Sequence, residues 1–566
     1  MIKKALSVGV DDFGKLICGN YYYVDKTLLI KELLDRKGEV NLFTRPRRFG
    51  KTLNMSMLKY YFEDTGNDET NKSNRDLFSG MNIMNSEDRY LDHMNHYPVI
   101  SLSLKSGKRA QFSSALFQLC EELGREFDRH RGVMDQLPTE KQQRYQRFLN
   151  RSASADEYSN ALRFLSEVLW SAYGRKVIIL IDEYDVPLEN AWFCGFYDQM
   201  IDFLRSMFEG ALKTNPCLEF AVMTGCLRVS KESIFTGLNN LKIISILNPF
   251  YGEYFGFSPD EVNRMMEYYG ITDHLEQVRE WYDGYLFGNT EVYNPWSITN
   301  YVEGLAADAP SRMPVPFWAN TSSNSIVKSL IEHADISVKG ELEELLSGGS
   351  IEKPIHEDIT YDSIYESDDN LWNFLFFTGY LKKTAIRMDG DIRYISLAIP
   401  NREVRYIYNS MIMKWFRESV RTKDLSELYR GLLDGDTDTV QREISALLMQ
   451  SISYMDGREE FYHGFMLGIL ENMRDYLITS NREGGLGRYD IAIRHLDVNT
   501  APVILELKVS RNYKDMETDC DKALAQIRDQ HYNDWLPDEG YTCVWDYGIA
   551  FYKKQCRVKA VRVELA

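Results

Sequence analysis

Glu39-Val-Asn-Leu-Phe-Thr-Arg-Pro-Arg-Arg-Phe-Gly-Lys-Thr-Leu53 is an apolar run that passes through a short basic loop into Gly50-Lys51-Thr52 and then into a helical pattern. A loop of this layout, followed by a helix N-terminus, turns several backbone N–H groups toward one point and favours an anion there. In a phosphate-binding loop Lys51 reaches the β- and γ-phosphates and the Thr52 hydroxyl ligates Mg²⁺. The usual spacing, G-x-x-x-x-G-K-S/T, has glycine where this chain has Arg45. Taken alone, the segment therefore also reads as an exposed basic turn.

Val177-Ile-Ile-Leu-Ile-Asp-Glu183 supplies the second half of a nucleotide site. Five apolar residues ending in two carboxylates read as a buried parallel strand that delivers acids to its C-terminal edge. Asp182 is placed to hold Mg²⁺ through water, and Glu183 to polarise the attacking water. A core strand that stops at a charged turn would look the same in isolation. With Gly50-Lys51-Thr52 upstream, the nucleotide reading is preferred.

Outward from these two segments, strand-like runs alternate with helical patterns as far as about residue 250, the signature of a parallel α/β sheet. The expected strands are Glu39–Thr44, Pro98–Leu104, Val177–Asp182, Glu219–Thr224 and Lys242–Leu247. The charged, amphipathic stretch from about Ser106 to Tyr173 separates the two nucleotide segments widely and reads as an inserted helical subdomain. Residues 255–430 look mostly helical, punctuated by Pro295, Pro310, Pro314 and Pro316. Within them Leu371–Leu381 has helical character, and Lys382–Ile399 reads as two strands around the turn Met388-Asp-Gly-Asp391. A helix followed by such a hairpin suggests a winged-helix module. Its acidic tip, Asp389 and Asp391, fits a connecting role better than a DNA reader.

Beyond about residue 455 a helix is expected over Glu459–Leu477, a Gly-rich turn at Gly484–Gly487, strands at Arg488–Arg494 and Pro502–Val509, and a helix at about Lys514–Tyr532. If the two strands fold antiparallel about Val498, Asp490 and Glu506 become cross-strand neighbours, and strand alternation puts Lys508 on the face of Glu506. Two acids so placed repel unless a cation lies between them, and an adjacent ammonium can orient water or stabilise charge developing on phosphate. That is the equipment for Mg²⁺-assisted phosphodiester hydrolysis. A solvated face with a salt bridge is the alternative, against which Val503-Ile-Leu505 argues by making Glu506 emerge from a buried strand. Glu460 and His463, one helical turn apart, could face the same metal, although a histidine among aromatic residues more often packs. Gln526 is either a nucleic-acid contact or an ordinary exposed glutamine.

A chain of 566 residues exceeds the roughly 300 that one core supports, so several domains are expected. No run approaches the roughly 18 apolar residues of a membrane span. The apolar stretch at the N-terminus, interrupted by Asp11 and Asp12, is too short for a secretory signal. Eight scattered cysteines without a C-x-x-C pair indicate neither a disulfide framework nor a zinc site, and a reducing cytoplasm is the expected location. A net charge of −18 argues against a general polyanion-coating protein, though not against a local basic groove. The densest basic cluster, Arg45, Arg47, Arg48 and Lys51, lies where nucleotide phosphate is expected.

The chain resembles the bacterial AAA-ATPase-like proteins that carry a C-terminal PD-(D/E)XK nuclease domain. The resemblance rests on Tyr23-Val-Asp-Lys-Thr27, Arg45-Pro-Arg-Arg-Phe-Gly-Lys-Thr52, Ile181-Asp-Glu-Tyr-Asp185, Phe235-Thr-Gly-Leu-Asn-Asn240, Trp281-Tyr-Asp-Gly-Tyr285, Asn294-Pro-Trp-Ser297, Ile399-Pro-Asn-Arg-Glu-Val404, Gly487-Arg-Tyr-Asp490 and Glu506-Leu-Lys508. It implies an α/β multidomain protein. Residues 1–254 would form a P-loop ATPase domain with a helical insertion near 106–173, residues 255–430 a helical and winged-helix-like region, and residues 431–566 a nuclease-like α/β domain.

The resemblance also implies an extra strand between those of Lys51 and Asp182, with Thr224 or Arg228 beyond the fourth strand sensing the γ-phosphate. Arg45 in place of the first loop glycine looks normal for such proteins. ATP would be held by the loop Arg45, Pro46, Arg47, Arg48, Phe49, Gly50, Lys51 and Thr52 with Asp182, and a second Mg²⁺ by Asp490 and Glu506. Related nucleases often place Tyr four residues after Gln; here Gln530 stands at that spacing and Tyr532 lies two further on. The expected activity is ATP hydrolysis coupled to Mg²⁺-dependent cleavage of nucleic acid, with DNA preferred. The competing class is a nucleotide-driven switch whose C-terminal domain recognises a partner without cutting. A homo-oligomer is compatible with either, because an arginine finger in trans would need one.

Overall fold

Val40–Thr44 (β1), Val99–Ser103 (β2), Val177–Asp182 (β3), Leu218–Gly225 (β4) and Leu241–Ile244 (β5) form a parallel five-stranded sheet in the order β2-β3-β4-β1-β5. This computed structural model describes residues 3–228, 234–235, 237–307, 313–318, 336–357, 359, 361, 364, 366–421, 423–449, 459–471, 473, 475–484, 486–495 and 497–565. Every residue of β1 and β3 is buried, which is why β3 is apolar as far as Asp182 rather than alternating, while the buried Asn41 of β1 donates to the Gly38 and Ala221 carbonyls. β4 stands between β1 and β3, the extra strand that the resemblance implies. β5 stops before the expected Leu247 because Ser245 starts a turn, its carbonyl and hydroxyl accepting from the N–H groups of Asn248 and Leu247.

A helix, α1 (Lys51–Phe62), follows the loop after β1. Between β2 and β3 run α2 (Phe112–Arg129), Thr139–Leu149, Ala155–Ser159 and α3 (Ala161–Tyr173), the helical insertion read from the sequence. It packs on its own aromatic core, with the Phe127 and Phe148 rings stacked 4.3 Å apart. Glu126 fastens α2 to the sheet by accepting from the Ser101 N–H of β2 at 2.7 Å.

Two compact units divide the chain: residues 1–322 with 350–405, and residues 323–349 with 406–566. In the first, short strands β6 (Tyr285–Phe287) and β7 (Thr290–Val292) pair with each other. Strand β8 (Ile351–Pro354), helix α4 (Asp368–Phe377) and the hairpin β9 (Lys382–Asp389) with β10 (Ile392–Ala398) come next. The hairpin turns on Gly390 at φ +57°, as Met388-Asp-Gly-Asp391 foretells, and β8 pairs with β10 to make three strands.

The second unit contains α5 (Glu459–Leu470), β11 (Tyr476–Ser480), the two-residue strands β12 (Glu483–Gly484) and β13 (Gly487–Arg488), β14 (Ile491–His495), β15 (Val503–Val509), α6 (Met516–Asp529), β16 (Cys543–Tyr552) and β17 (Gln555–Glu564). Its main sheet has the order β11-β14-β15-β16-β17, with only β15 and β16 parallel. The expected long helix ends at Leu470 because Tyr476 onward is extended and pairs with β14. Tyr462 of α5 stacks on Phe551 at 4.2 Å, and Phe465, Met466 and Ile469 share its core with Leu505 and Leu507. Gly548 lets α6 approach closely, since a Cβ there would stand 2.3 Å from the Cys520 carbonyl.

Candidate nucleotide and metal sites

The loop leaving β1 is shaped by Arg48 at φ +70° and Gly50 at φ +80°, two left-handed residues that turn the chain into α1. Lys51 is 7% exposed and folds back on its own loop, its Nζ donating to the carbonyls of Arg45 at 2.9 Å and Pro46 at 2.8 Å. Thr52 donates its hydroxyl to Asp182 Oδ2 at 2.7 Å, and the Thr224 hydroxyl donates to Asp182 Oδ1. Two hydroxyls, one from α1 and one from β4, thus meet on the carboxylate that ends β3. Glu183 follows in a left-handed conformation at φ +54°, and its N–H donates to Thr224 Oγ1. Burial, then the neighbouring Asp182 charge, raises the Glu183 carboxyl above its ordinary range.

Arg45 departs from the phosphate role expected of its side chain. Its guanidinium is fully buried between the Phe255 and Phe287 rings, 5.1 Å from each, and Nη1 donates to Thr44 O and Ile244 O. Burial with no carboxylate partner lowers its pKa to about 9. The side chain fastens β1 to β5, and only its carbonyl meets Lys51. Pro46 packs against Gly379, where a Cβ would come within 2.9 Å of its ring. Arg47 pairs with Glu189, Arg48 lies 4.2 Å over the Trp296 ring, and Phe49 sits edge-on to Tyr285. Arg228 lines a small pocket with Thr44, Ser245 and Phe377, separate from the Lys51 cleft.

That cleft is a cavity of about 380 Å³. Its lining includes the loop residues Arg47 through Thr52 with Lys26, Lys105, Lys108, Glu183, Asp185, Glu189 and Cys226, and apolar residues among them Leu6, Val8, Val10, Tyr22, Val24, Met265 and Trp296. Asp185, which the sequence analysis names only as the end of a motif, also lines the cavity. It accepts from the N–H groups of Cys226 at 2.7 Å and Leu227 at 3.1 Å, while its buried Oδ1 has no hydrogen-bond partner.

In the second unit Ile491 pairs with Leu505 and Ile493 with Val503, a register centred on Val498. Continued by one pair it sets Asp490 opposite Glu506. Asp490 Oδ2 accepts from the Leu507 N–H at 2.7 Å. Glu506 is 2% exposed; its Oε1 accepts from Lys508 Nζ at 2.8 Å, so the acid and the amine share a face. Burial, reinforced by Asp490 and opposed by Lys508, pushes the Glu506 carboxyl up to about 7.

Its second oxygen, Oε2, is buried without a partner. An unsatisfied carboxylate oxygen beside a second acid fits a hard divalent cation. Among the described residues no set of three His, Cys, Asp or Glu side chains converges. A cation here would therefore be held by Asp490 and Glu506 and complete its shell with water or substrate oxygens, the habit of Mg²⁺.

Residues 7–235 match the family model described as predicted AAA-ATPase, and residues 457–561 match that of the PD-(D/E)XK nuclease superfamily. The chain carries an AAA-ATPase-like domain and a PD-(D/E)XK nuclease superfamily domain. It is also 25% identical over 554 residues, 94% of either chain, to an Azotobacter chroococcum mcd 1 protein described as an uncharacterized protein in the vnfD 5' region. The AAA-ATPase-like match spans Lys51, Thr52, Asp182, Glu183 and Thr224; the nuclease-superfamily match spans Asp490, Glu506 and Lys508.

Within the nuclease-superfamily domain, His463 makes a 3.1 Å hydrogen bond to the Asp490 carbonyl, which holds the backbone beneath that carboxylate. The side chain of Glu460 lies outside the described residues. Glu459, one position earlier, adds its charge to those acting on Glu506 and Lys508. Gln526 donates to the Tyr532 hydroxyl at 3.2 Å, so the two residues meet despite their unusual spacing. No described helix is long and apolar enough to cross a membrane, and all eight cysteines are free.

Proposed function

We propose that this protein binds and hydrolyses ATP in its N-terminal region, and that this is coupled to Mg²⁺-dependent cleavage of nucleic acid, with DNA the preferred substrate, in its C-terminal region. The observation that carries the proposal is Glu506 Oε2, a buried acceptor left unsatisfied beside Asp490, with the Lys508 amine on the same face. A protein seldom leaves such an oxygen unpaired without a ligand for it. In this reading Asp490 and Glu506 hold the metal, and Lys508 steadies charge on the scissile phosphate. Bound Mg²⁺ supplies Lewis-acid neutralisation of phosphate and a more acidic water.

At the ATP site Lys51 leaves its two loop carbonyls for the β/γ-phosphates, Thr52 and Asp182 hold Mg²⁺, and Glu183 orients water. Its raised pKa makes Glu183 a better proton acceptor than an ordinary carboxylate. Thr224, hydrogen-bonded to Asp182, is the preferred γ-phosphate sensor over Arg228. We further assign residues 1–254 to the ATPase part, 255–430 to a helical and winged-helix-like connector and 431–566 to the nuclease part, with cytoplasmic action. A second reading, a nucleotide switch that recognises a partner without cutting, is favoured by the net charge of −18.

Incubation of purified protein with plasmid and oligonucleotides, with and without Mg²⁺ and ATP, separates the two. Cleavage that needs Mg²⁺ and disappears in Glu506→Ala supports the nuclease reading. Intact substrates under every condition, together with undiminished ATP turnover, support the switch.

A further inference from the structure

Strand β2 pairs with β3 so that Ser103 stands opposite Asp182, and the chain then enters a short turn carrying Lys105 and Lys108. Both lysines line the cavity that Lys51 and Glu183 also line. The other cations of that lining have partners: Lys26 is paired with Glu261, Arg47 with Glu189, Arg48 is stacked on Trp296, and Lys51 is bonded to two carbonyls. Lys105 and Lys108 have no ion pair or side-chain hydrogen bond among the described residues, and both are exposed. We propose that Lys105 is a catalytic residue of ATP hydrolysis, bringing its ammonium onto the γ-phosphate from within the same chain and taking the part an arginine finger from a second subunit would play. The inference rests on the nucleotide reading of the cleft.

Transfer of the γ-phosphoryl group spreads negative charge over its oxygens, so a cation reaching it there stabilises the transition state more than bound ATP. The water oxygen forms a bond to the γ-phosphorus as the bond from phosphorus to the bridging oxygen breaks. The bridging oxygen keeps that electron pair and departs as ADP. The proton lost by water passes to the Glu183 carboxylate and from there to the released phosphate. Of the two lysines, Lys105 is the nearer along the chain to the sheet edge that carries Asp182, two residues past Ser103, which stands opposite that acid, and its charge also bears on Glu183. A lysine in this place removes the need for a partner subunit to complete the site.

The test uses the full chain with Lys105→Met, Lys108→Met, Lys105→Arg and Lys51→Ala. Single-turnover ATP hydrolysis should fall at least about 100-fold in Lys105→Met, while calorimetric affinity for ATPγS·Mg²⁺ stays within about threefold. Affinity for ADP with aluminium fluoride, which imitates the transferred phosphoryl group, should fall with the rate, and Lys105→Arg should recover part of both. Wild-type specific activity should not change on dilution. The inference is overturned, with the nucleotide reading intact, if Lys105→Met hydrolyses ATP at the wild-type rate while Lys51→Ala is inactive. It is equally overturned if Lys108→Met alone carries the loss, or if wild-type activity collapses on dilution. Failure of the wild-type protein to bind ATPγS overturns the reading beneath it as well.

Discussion

Glu403 offers a quantitative test of the packing that surrounds the ATPase core. It lies in the first turn of the helix Arg402–Arg421, fully buried, and its oxygens accept from the Ser297 hydroxyl at 2.8 and 3.0 Å and from the Trp318 N–H at 2.8 Å. Those neutral donors favour the carboxylate, but burial outweighs them and raises the group from an ordinary 4.5 to about 7. A carboxyl raised on folding binds more protons folded than unfolded between those two values. Its contribution to stability is therefore complete below about pH 4.5 and is lost as the pH rises through about 7. The whole difference is worth about 3 kcal/mol, of which about 2.5 kcal/mol falls between pH 5 and pH 8. Glu403→Gln keeps the shape and the carbonyl acceptor while removing the titration. Urea unfolding of both proteins should show the variant gaining on the wild type by about 2.5 kcal/mol over that interval. Asp283, also raised, to about 6, is common to both and cancels in the difference. A gap that stays constant from pH 5 to pH 8 would refute the reasoning, because it would mean that Glu403 carries the same charge at both ends.

Four further outcomes are expected. Lys51→Ala should lose ATP hydrolysis and most ATP affinity, read by titration calorimetry with ATP·Mg²⁺, since it removes the cation assigned to the β/γ-phosphates. Glu183→Gln should bind ATP normally and turn it over about 100-fold or more slowly, the usual weight of a positioned proton acceptor; a wild-type rate would transfer that role to Asp185. Asp490→Asn or Glu506→Gln should abolish Mg²⁺-dependent cleavage in gel assays and leave ATP turnover unchanged. Arg45→Ala should cost about 3 kcal/mol of urea stability by leaving two strand carbonyls unpaired and a void between two rings, with ATP affinity altered far less than in Lys51→Ala.

The parallel sheet was legible because strands buried on both faces write themselves as short apolar runs, most clearly in β3, which is apolar from Val177 to Ile181. The C-terminal register was legible for a different reason. Strand pairing has a period of two, so one correct centre, Val498, fixed Asp490, Glu506 and Lys508 together. Arg45 was misread because charge density along a sequence does not reveal direction. Four basic residues in seven positions suggested one cluster, yet one guanidinium points into the core, one pairs with Glu189 and one stacks on Trp296. Lys105 and Asp185 could be located only by tertiary proximity. Nothing about a lysine just past a strand end announces that the neighbouring strand delivers Asp182.

The acidity of the nuclease-superfamily site carries its own physical consequence. The charges of Asp490 and Glu459 both act on Glu506 and on the ammonium of Lys508, in a chain whose net charge is −18. A phosphodiester approaching that face without help would meet repulsion, and partial protonation of Glu506 relieves it only in part. A divalent cation changes the sign of the local field. It would satisfy Glu506 Oε2, hold Glu506 ionised at neutral pH and offer the incoming phosphate a positive centre. The charges of these residues therefore support the proposed metal dependence independently of any kinship. The same reasoning separates the two functional readings in a binding experiment that needs no cleavage. A nuclease should bind Mg²⁺ or Ca²⁺ at this site with an affinity that rises as pH passes upward through about 7, where Glu506 gives up its proton, and Glu506→Gln should abolish that dependence. A partner-recognition domain in which Glu506 and Lys508 form only a structural pair should show no such metal-linked proton release.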